Sequence, residues 1–361
     1  MIVFCGVVGT LLFAALTYRA VRQRQNARAL VINNPNGVNE GMFVKLGGMD
    51  QWIQIRGEDR DNPMLLVLHG GPGFSYIPFT EMLRPWEKHF TIVQWDRRGV
   101  GRTFGRNGKN SSVKMTFDQM ARDGVELTEF LTKHLNKQKV ILLGHSMGSI
   151  VGVLMAKQRP DLFYAYVGTD QIVDGPRNEA VSYELLVKRV RDAGNLKAEK
   201  QLEEIGAPPY DNVKGWWTKQ KLITATDPVA PEFEKTFFPM VMFEPSYSLM
   251  DIKDLGTGYQ FSAAGMLSEI MNFDVRKAGT TFETPMFIVE GENDVLDPTQ
   301  LAVEYFSSIE APKKELVIMK GAGHQAMLIM REQFLKELLV RVMPLVREHN
   351  PSRAATRNVA H

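Results

Sequence analysis

Residues 139–148 read KVILLGHSMG, and this stretch decides which fold the chain can adopt. The pattern G-x-S-x-G is weak evidence alone, because glycine and serine are common residues. Here an apolar, strand-like run leads directly into the pattern, and a helix-compatible segment, Ile150 to Lys157, follows it. A serine on a sharp strand-to-helix turn needs small neighbours, and Gly144 and Gly148 supply them. We therefore expect Ser146 to project its hydroxyl from a strand end; the alternative is a tight turn with an incidental serine.

Apolar segments rich in strand-forming residues recur along the rest of the chain, and each ends in a loop. Such runs are typical of parallel strands that are buried on both faces. Upstream of them, Met42 to Leu46 and Gln51 to Arg56 flank a Gly-Gly pair and predict a hairpin. The predicted buried strands are Met64 to Leu68, Phe90 to Trp95, Lys139 to Leu143, Phe163 to Val167, Pro285 to Val289 and Glu315 to Met319.

Helical patterns lie between these strands. The clearest runs from Phe117 to Leu135, where Thr116 and Gln119 have the spacing of a capping box. Alternating strands and helices predict an α/β fold with a mostly parallel, doubly wound sheet. The alternation breaks between about Gly175 and Gly279, where the sequence is helical and contains prolines and aromatic residues. We interpret that segment as a helical cap inserted over an active site.

These patterns divide the chain into one catalytic unit with flanking segments. We expect an N-terminal apolar and basic segment at residues 1–30, then the first part of the α/β core at residues 31–174. The helical cap covers residues 175–279, and the second part of the core covers residues 280–350. Residues 351–361 are expected to form a polar tail.

The net charge of the 361 residues is +2, and it is distributed unevenly. Arg19, Arg22, Arg24 and Arg28 lie in the first 30 residues without any acid, which leaves −2 for residues 31–361. The body of the protein therefore lacks the basic bias of a nucleic-acid-binding surface. The single cysteine, Cys5, excludes an internal disulfide. No metal-ligand cluster, dinucleotide fingerprint or phosphate loop is present in the sequence, so we expect no cofactor.

The chain begins with an apolar segment, residues 1–18, which carries no charge and is followed by the four arginines. As a helix it would span about 27 Å, close to the ~30 Å hydrocarbon thickness of a bilayer. We predict a membrane anchor, and the positive-inside tendency would keep the following domain in the cytoplasm. The alternative is a soluble cytoplasmic protein in which this segment is an amphipathic or buried helix.

A second motif, HGGPG at residues 69–73, directly follows a predicted strand. Acyl transfer places negative charge on a carbonyl oxygen, and preorganised backbone N–H groups stabilise that charge. We expect Gly71 to supply one such donor and Met147, which follows the serine, to supply the other. A simple tight turn is the alternative explanation of the glycines.

A serine hydroxyl needs a base, and the base needs a group that holds its tautomer. Two predicted strands lead into GEND at residues 291–294 and GAGH at residues 321–324, at the strand ends where open α/β sheets bind ligands. Asp294 is the predicted acid and His324 the predicted base. The alternative acids are Asp297, which precedes a proline and fits a turn, and Asp170. Among the other histidines, His145 adjoins the serine and His69 lies in the HGGPG loop.

A third motif, WDRRGVGR at residues 95–102, is rich in arginine. Such a loop can bind a carboxylate or phosphate, but Asp96 offers an internal partner. We expect a structural ion-pair network there and assign it no catalytic role.

With these residues in view, the chain resembles the proline iminopeptidase-like branch of the α/β-hydrolases from about Gly41 to Val346. The matching motifs are HGGPG, WDRRGVGR, GHSMGS at residues 144–149, GEND and GAGH. The resemblance implies the α/β-hydrolase fold with an inserted cap and a Ser-Asp-His order of triad residues. Members of the branch include aminopeptidases, esterases and other acyl hydrolases, so the resemblance leaves the substrate open.

Two departures from that branch bear on the substrate. Its aminopeptidases usually have tryptophan after the nucleophile, where this chain has Met147, and a Trp-Glu step in the cap that helps to hold the substrate's amino group. Here Trp216 and Trp217 are followed by threonine and lysine. The missing anion weakens the aminopeptidase interpretation, unless Glu203, Glu204 or Glu244 replaces it. We expect the two tryptophans to contact an apolar part of the substrate, although either can be cap core.

Three hypotheses on function follow. The first is a serine hydrolase that cleaves a carboxylic ester or small amide through an acyl-enzyme. The second is an aminopeptidase of the proline iminopeptidase type that releases N-terminal residues from short peptides. The third, from another class, is a hydrolase-fold protein that binds a ligand without turnover.

Overall fold

Eight strands of the described residues form a single sheet at the centre of the fold, in the order β1-β2-β4-β3-β5-β6-β7-β8. The computed structural model describes residues 2–109, 114–227 and 230–349; the side chains of residues 2–6, 230–232 and 234 are outside this description. The strands are β1 Val38–Leu46, β2 Met49–Gly57, β3 Met64–Leu68, β4 Thr91–Asp96, β5 Val140–His145, β6 Phe163–Thr169, β7 Met286–Gly291 and β8 Lys314–Met319.

The sheet is mostly parallel, as the sequence predicts. β1 and β2 form an antiparallel hairpin, and β2 pairs antiparallel with β4. All remaining neighbours pair in parallel. Every residue of β3, β4, β5, β6 and β7 is buried, which explains their almost continuous apolar sequences.

Helices cover both faces of the sheet, and five of those described, α6 to α10, occupy the chain between β6 and β7. The helices are α1 Ile2–Ala29, α2 Thr80–Leu83, α3 Gly101–Asn107, α4 Phe117–His134, α5 Met147–Gln158, α6 Gly175–Asp192, α7 Leu196–Ile205, α8 Val213–Thr226, α9 Ala230–Phe243, α10 Leu249–Ile270, α11 Thr299–Ser308, α12 Ala326–Ile329, α13 Arg331–Glu337 and α14 Met343–His349. Single 3-10 turns lie at Ile77–Phe79, Arg84–Lys88, Pro160–Leu162 and Val275–Ala278, and a π-helical turn lies at Leu338–Val342.

Two apolar layers pack on the sheet, because successive side chains of a strand point to opposite faces. Leu66 and Leu142 belong to the layer that contains Leu127 of α4 and the inner face of α5. Their neighbours Leu65 and Ile141 belong to the opposite layer, where Trp86 stacks on Phe334. The chain therefore has the doubly wound α/β architecture that its sequence predicts.

The predicted start of α4 is correct, but the predicted capping box is only half formed. Thr116 accepts a hydrogen bond from the backbone N–H of Gln119 at 3.2 Å. The Gln119 amide does not return to the cap; it donates to Asp123 Oδ1 at 2.8 Å. A capping box would instead use the Gln119 side-chain oxygen to accept from the backbone N–H of Thr116, and that oxygen accepts from the Arg122 guanidinium at 2.8 Å.

The arginine-rich loop after β4 does form an ion-pair network, but with different acids from the one predicted. Asp96 Oδ2 accepts a hydrogen bond from the backbone N–H of Arg102 at 2.9 Å. The Arg102 side chain pairs instead with Asp251 of α10 at 2.9 Å, and Arg98 forms a buried pair with Asp123. The loop thus fastens α4 and α10 to the sheet edge.

Asp123 holds three parts of the fold together. Its carboxylate accepts hydrogen bonds from Gln51 of β2 at 2.7 Å and from the Arg98 guanidinium, which also donates to the carbonyl of Gly47 at 2.9 Å. A buried ion pair that loses one partner leaves the other charge uncompensated. The β1–β2 hairpin, the loop after β4 and α4 therefore depend on one carboxylate.

We predict that Asp123→Ala lowers the free energy of unfolding by about 3 to 5 kcal/mol, because Arg98 remains buried without a counterion. Thr116→Ala, which removes only the helix cap, serves as the matched control and costs about 1 kcal/mol. Urea denaturation followed by circular dichroism measures both values. A loss at Asp123→Ala no larger than that at Thr116→Ala would contradict the assignment.

The N-terminal helix α1 lies against the end of α9. Arg19 Nε donates to the carbonyl of Met242 at 3.0 Å, and Gln23 donates to the carbonyl of Glu244 at 2.7 Å. Upstream of these contacts, most of the described side chains are exposed. Within the described residues, no helix is both long and apolar enough to cross a membrane, so the predicted anchor at residues 1–18 is not supported there. The predicted polar tail, residues 351–361, lies outside the described residues.

Candidate active site

Ser146 occupies the sharp turn between β5 and α5. Its backbone has φ 50° and ψ −124°, a conformation that non-glycine residues rarely adopt and that marks strained functional turns. The turn is also crowded: a Cβ on Gly148 would lie 2.1 Å from the carbonyl oxygen of Leu68, and one on Gly144 would lie 2.7 Å from the carbonyl oxygen of Gly148. The two glycines are therefore required by the close approach of β3, β5 and α5.

Asp294 and His324 meet because β7 and β8 are parallel neighbours whose carboxyl ends lie side by side. His324 Nδ1 and Asp294 Oδ2 are hydrogen-bonded at 2.9 Å. The other carboxylate oxygen, Asp294 Oδ1, accepts from the backbone N–H groups of Leu296 at 2.8 Å and Asp297 at 3.0 Å. These bonds fix the carboxylate, so Asp294 is placed to hold the imidazole in one orientation.

The Ser146 hydroxyl makes a contact that the sequence did not indicate. Ser146 Oγ donates a hydrogen bond to Asp297 Oδ2 at 2.8 Å. Asp297 Oδ2 is 3.7 Å from His324 Nδ1, and Asp297 Oδ1 accepts from the Asn178 amide at 3.1 Å. The alternative acid of the sequence analysis thus lies in the same site, but it contacts the serine, while Asp294 makes the closer contact with the histidine.

His145, which adjoins the serine in sequence, supports the loop that carries His324. Its Nε2 is hydrogen-bonded to the carbonyl oxygen of His324 at 3.2 Å and lies 2.7 Å from Asp170 Oδ2. Its Nδ1 is hydrogen-bonded to the Tyr76 hydroxyl at 2.6 Å. Burial, together with the nearby His324, lowers the pKa of His145 to about 3, so this imidazole is neutral. The sequence indicates Asp170, because it follows β6 directly, but no pattern in the sequence indicates Tyr76.

Three buried carboxyl groups, Asp170, Glu290 and Asp294, lie behind the histidines with oxygen atoms within 4.8 Å of one another. His145, Asp170 and His324 form a second such group. Either donor set is close enough to share a metal ion, but both include a partner of the Asp294–His324 hydrogen bond, with which an ion would compete. Burial and the neighbouring Asp294 raise the pKa of Asp170 and of Glu290 well above the usual range. Protons on these two groups lower the negative charge of the cluster.

The HGGPG loop passes close to the serine. A Cβ on Gly70 would lie 2.6 Å from His145 Nδ1 and 3.1 Å from Ser146 Cβ, and Gly71 has a positive φ of 54°. Met147 is the first residue of α5, where backbone N–H groups have no partner within the helix. Gly71 and Met147 both line the cavity that contains Ser146. Their role as oxyanion donors stays a prediction.

A cavity of about 510 Å³ opens above Ser146 and contains His324 and Asp297 in its wall. Both predicted tryptophans line it: Trp216 and Trp217 pack edge to face at 5.1 Å, and Trp217 packs on Tyr259 at 4.8 Å. Trp216 of α8 also donates a hydrogen bond to Glu179 of α6 at 3.4 Å, so its side chain joins these two helices. The glutamates considered as amine ligands, Glu203, Glu204 and Glu244, are not among the described residues that line this cavity.

Charge in the cavity is dominated by acids around His324. Burial alone lowers the pKa of His324, but the carboxylates of Asp294, Asp297 and Asp227 raise it to about 9. Burial raises the pKa of Asp297 to about 7, against the opposing effect of His324. At neutral pH the imidazole in this resting arrangement therefore carries a proton.

We predict that His324 titrates near pH 9 and that His145 stays neutral from pH 5 to pH 10. Asp294→Asn should lower the pKa of His324, because the variant removes the nearest anion. NMR of histidine-labelled protein measures both, and the resonance that disappears in His324→Gln identifies His324 among the seven histidines. An unshifted titration of His324 in the Asp294→Asn variant would contradict the assigned contact.

Comparison with known proteins agrees with this architecture. The sequence model of the alpha/beta hydrolase fold matches residues 63–204. A probable aminopeptidase, YbaC, from Bacillus subtilis (strain 168) is 28% identical over 297 residues, which cover 78% of this chain and 89% of the relative. A proline iminopeptidase from Thermoplasma volcanium is 22% identical over 83% of this chain and 95% of its own length.

Among solved structures, the proline iminopeptidase-related protein from Thermus thermophilus superposes with a TM-score of 0.59 at 19% identity, over 85% of this chain and 99% of that chain. At this identity the likeness concerns the fold. Together with the mostly parallel eight-stranded sheet, these matches show that the chain is an α/β-hydrolase-fold protein whose sequence relatives include proline iminopeptidases.

Proposed function

We propose that the protein is a serine hydrolase that cleaves a carboxylic ester or small amide through an acyl-enzyme. The observation that carries the proposal is the hydrogen bond between His324 Nδ1 and Asp294 Oδ2 in the cavity where Ser146 lies on its strained turn. A serine, a histidine and a carboxylate in these positions are the parts that acyl transfer needs. The hydrolase names of the sequence relatives support the same reaction class.

In the proposed reaction, Ser146 Oγ attacks the substrate carbonyl while Nε2 of His324, in the neutral form of the imidazole, takes the hydroxyl proton. Asp294 keeps Nδ1 protonated and stabilises the imidazolium that forms. The backbone N–H groups of Gly71 and Met147 stabilise the oxyanion. His324 then gives its proton to the leaving group, and a water molecule, activated by the same histidine, releases the acid and restores Ser146.

A second candidate is an aminopeptidase that releases N-terminal residues from short peptides. Two relatives that match most of this chain carry the names probable aminopeptidase and proline iminopeptidase, and the cavity has acidic groups that suit a substrate ammonium. Asp227 and Asp297 line the cavity near His324, and Glu179, which also lines it, pairs with the buried Lys219. The aromatic wall, with Trp217 and Tyr259, suits an apolar group in either case.

We predict that Ser146→Ala abolishes labelling by a fluorophosphonate and lowers kcat/KM on any substrate by at least about a thousandfold. Ser307→Ala, at an exposed serine of α11, is the matched control and keeps wild-type labelling. A panel of aryl esters and aminoacyl arylamides separates the two candidates, because turnover of free-amine amides alone would contradict the ester hydrolase. Well-folded wild type that neither labels nor turns over any substrate would favour a binding protein that has the fold without the reaction.

We further propose that α1 associates with a lipid surface through residues 7–18. Described apolar side chains of this stretch are exposed, among them Leu12 and Phe13, while Arg19 and Gln23 hold the next turns to the protein. An exposed apolar stretch beside arginines suits the boundary of an anionic bilayer.

We predict that the full chain floats with vesicles that contain anionic lipid, and that Leu12→Glu with Phe13→Glu abolishes flotation. Leu196→Glu, which adds one negative charge at an exposed apolar residue of α7, is the control and keeps flotation. Wild-type protein that stays with the unbound fraction would contradict this proposal and leave the hydrolase proposal untouched.

A further inference from the structure

The resting position of the Ser146 hydroxyl is at odds with nucleophilic attack. Its hydrogen is donated to Asp297 Oδ2 at 2.8 Å, which we call the resting contact. Attack assisted by His324 needs that same hydrogen to point to Nε2 of the imidazole. A hydroxyl has only one hydrogen to donate, so the resting contact and the catalytic contact exclude each other.

Asp297 is built firmly into this position. Its side chain is buried, its Oδ1 accepts from Asn178 of α6, and its backbone N–H donates to Asp294 Oδ1. The loop that orients His324 through Asp294 therefore also holds the serine through Asp297. Within the described residues, the only cationic partner recorded for the Asp297 carboxylate is His324, at 3.7 Å.

The cavity gives a substrate direct access to the same carboxylate. Asp297 lines the cavity beside Ser146 and His324. A carbonyl carbon poised for attack lies about 3 to 3.5 Å from Oγ. Asp297 Oδ2 lies 2.8 Å from that Oγ, so a hydrogen-bond donor on the acyl side, one or two bonds from the carbonyl, is within reach of the carboxylate.

We propose that Asp297 is a positioning residue: it holds the Ser146 hydroxyl away from His324 until a substrate N–H or O–H donor near the scissile carbonyl takes the carboxylate and releases the hydroxyl. This inference rests on the proposed hydrolase function. It adds a selection step, because substrates without such a donor must break the resting contact unaided.

The charged groups around His324 give donor binding a second effect, on the protonation of the imidazole. The groups that face it are Asp294 and Asp297 from the loop after β7, Asp227 after α8, His145 at the end of β5 and Asp170 after β6. A donor that pairs with Asp297 weakens one of the anions that keep the imidazole protonated. Binding of the donor thus frees the nucleophile and favours the neutral base together.

The test compares wild type with Asp297→Ala on a probe and a substrate pair. The probe is diisopropyl fluorophosphate, which has no hydrogen-bond donor, and the pair is the naphthyl esters of alanine and propionate, which differ by one amino group. We expect Asp297→Ala to label roughly two- to tenfold faster at pH 7, the range of one net hydrogen bond. We also expect the preference of wild type for the alanine ester, measured in kcat/KM, to fall by a similar factor.

Two further readouts separate this role from a structural one. The pH profile of labelling should move to lower pH in Asp297→Ala, because His324 loses a neighbouring anion. Asp227→Asn removes a cavity charge without touching Ser146; it weakens the field on a substrate ammonium and on His324, so it should change the ester ratio and the labelling rate by less than Asp297→Ala does. Asp297→Asn keeps the shape of the side chain and is used where the alanine variant does not fold; it should change labelling in the same direction by less.

The outcomes are distinct. Labelling of a folded Asp297→Ala variant at or below the wild-type rate, or an ester ratio equal in both proteins, overturns the inference. Wild type that neither labels nor cleaves either ester overturns the proposed function itself. A fall in the ester ratio in Asp227→Asn as large as in Asp297→Ala would assign the effect to the field of the cavity and also overturn the positioning role.

Discussion

The steric constraint at the turn between β5 and α5 underlies the rest of the site. β3 and β6 lie on either side of β5, so the loops that follow all three strands converge on Ser146. The turn fits because Gly144 and Gly148 have no side chains, and its strain at Ser146 is maintained by the surrounding sheet. Asp294 and His324 reach the site from the ends of the parallel strands β7 and β8, where their positions follow from the strand order.

Electrostatics imposes a second constraint, because several carboxyl groups meet at this edge of the sheet. Asp170 and Glu290 are buried and have pKa values far above their usual range, so the cluster reduces its charge by holding protons. Asp294 is instead fixed by two backbone N–H groups and by His324. Asp170 and Glu290 are therefore buried in their neutral, protonated form, whereas Asp294 is the carboxyl group that contacts His324.

Much of this arrangement could be predicted from the sequence. Strands that are buried on both faces have almost continuously apolar sequences, and the polar residues of the site come directly after such strands. Asp294 and His324 were assigned in that way. The resting contact could not be predicted, since only the folded geometry shows that the Ser146 hydroxyl donates to Asp297. The partners of Arg98 and Arg102 were missed for a related reason: the adjacent Asp96 is near in sequence, but helices from elsewhere supply the acids.

The cap and the core contribute differently to the cavity. In the cap, Lys219 is fully buried and pairs with Glu179, which also holds Trp216, so these two charges neutralise each other. The cap lines the cavity with aromatic rings, among them Trp217 and Tyr259, and with the charged residues Lys221 and Asp227. The acid in contact with the serine, Asp297, comes from a core loop whose backbone is tied to the Asp294 carboxylate. In the proposed reaction, the acid closest to the scissile carbonyl therefore comes from the core, whereas the cap supplies the aromatic wall.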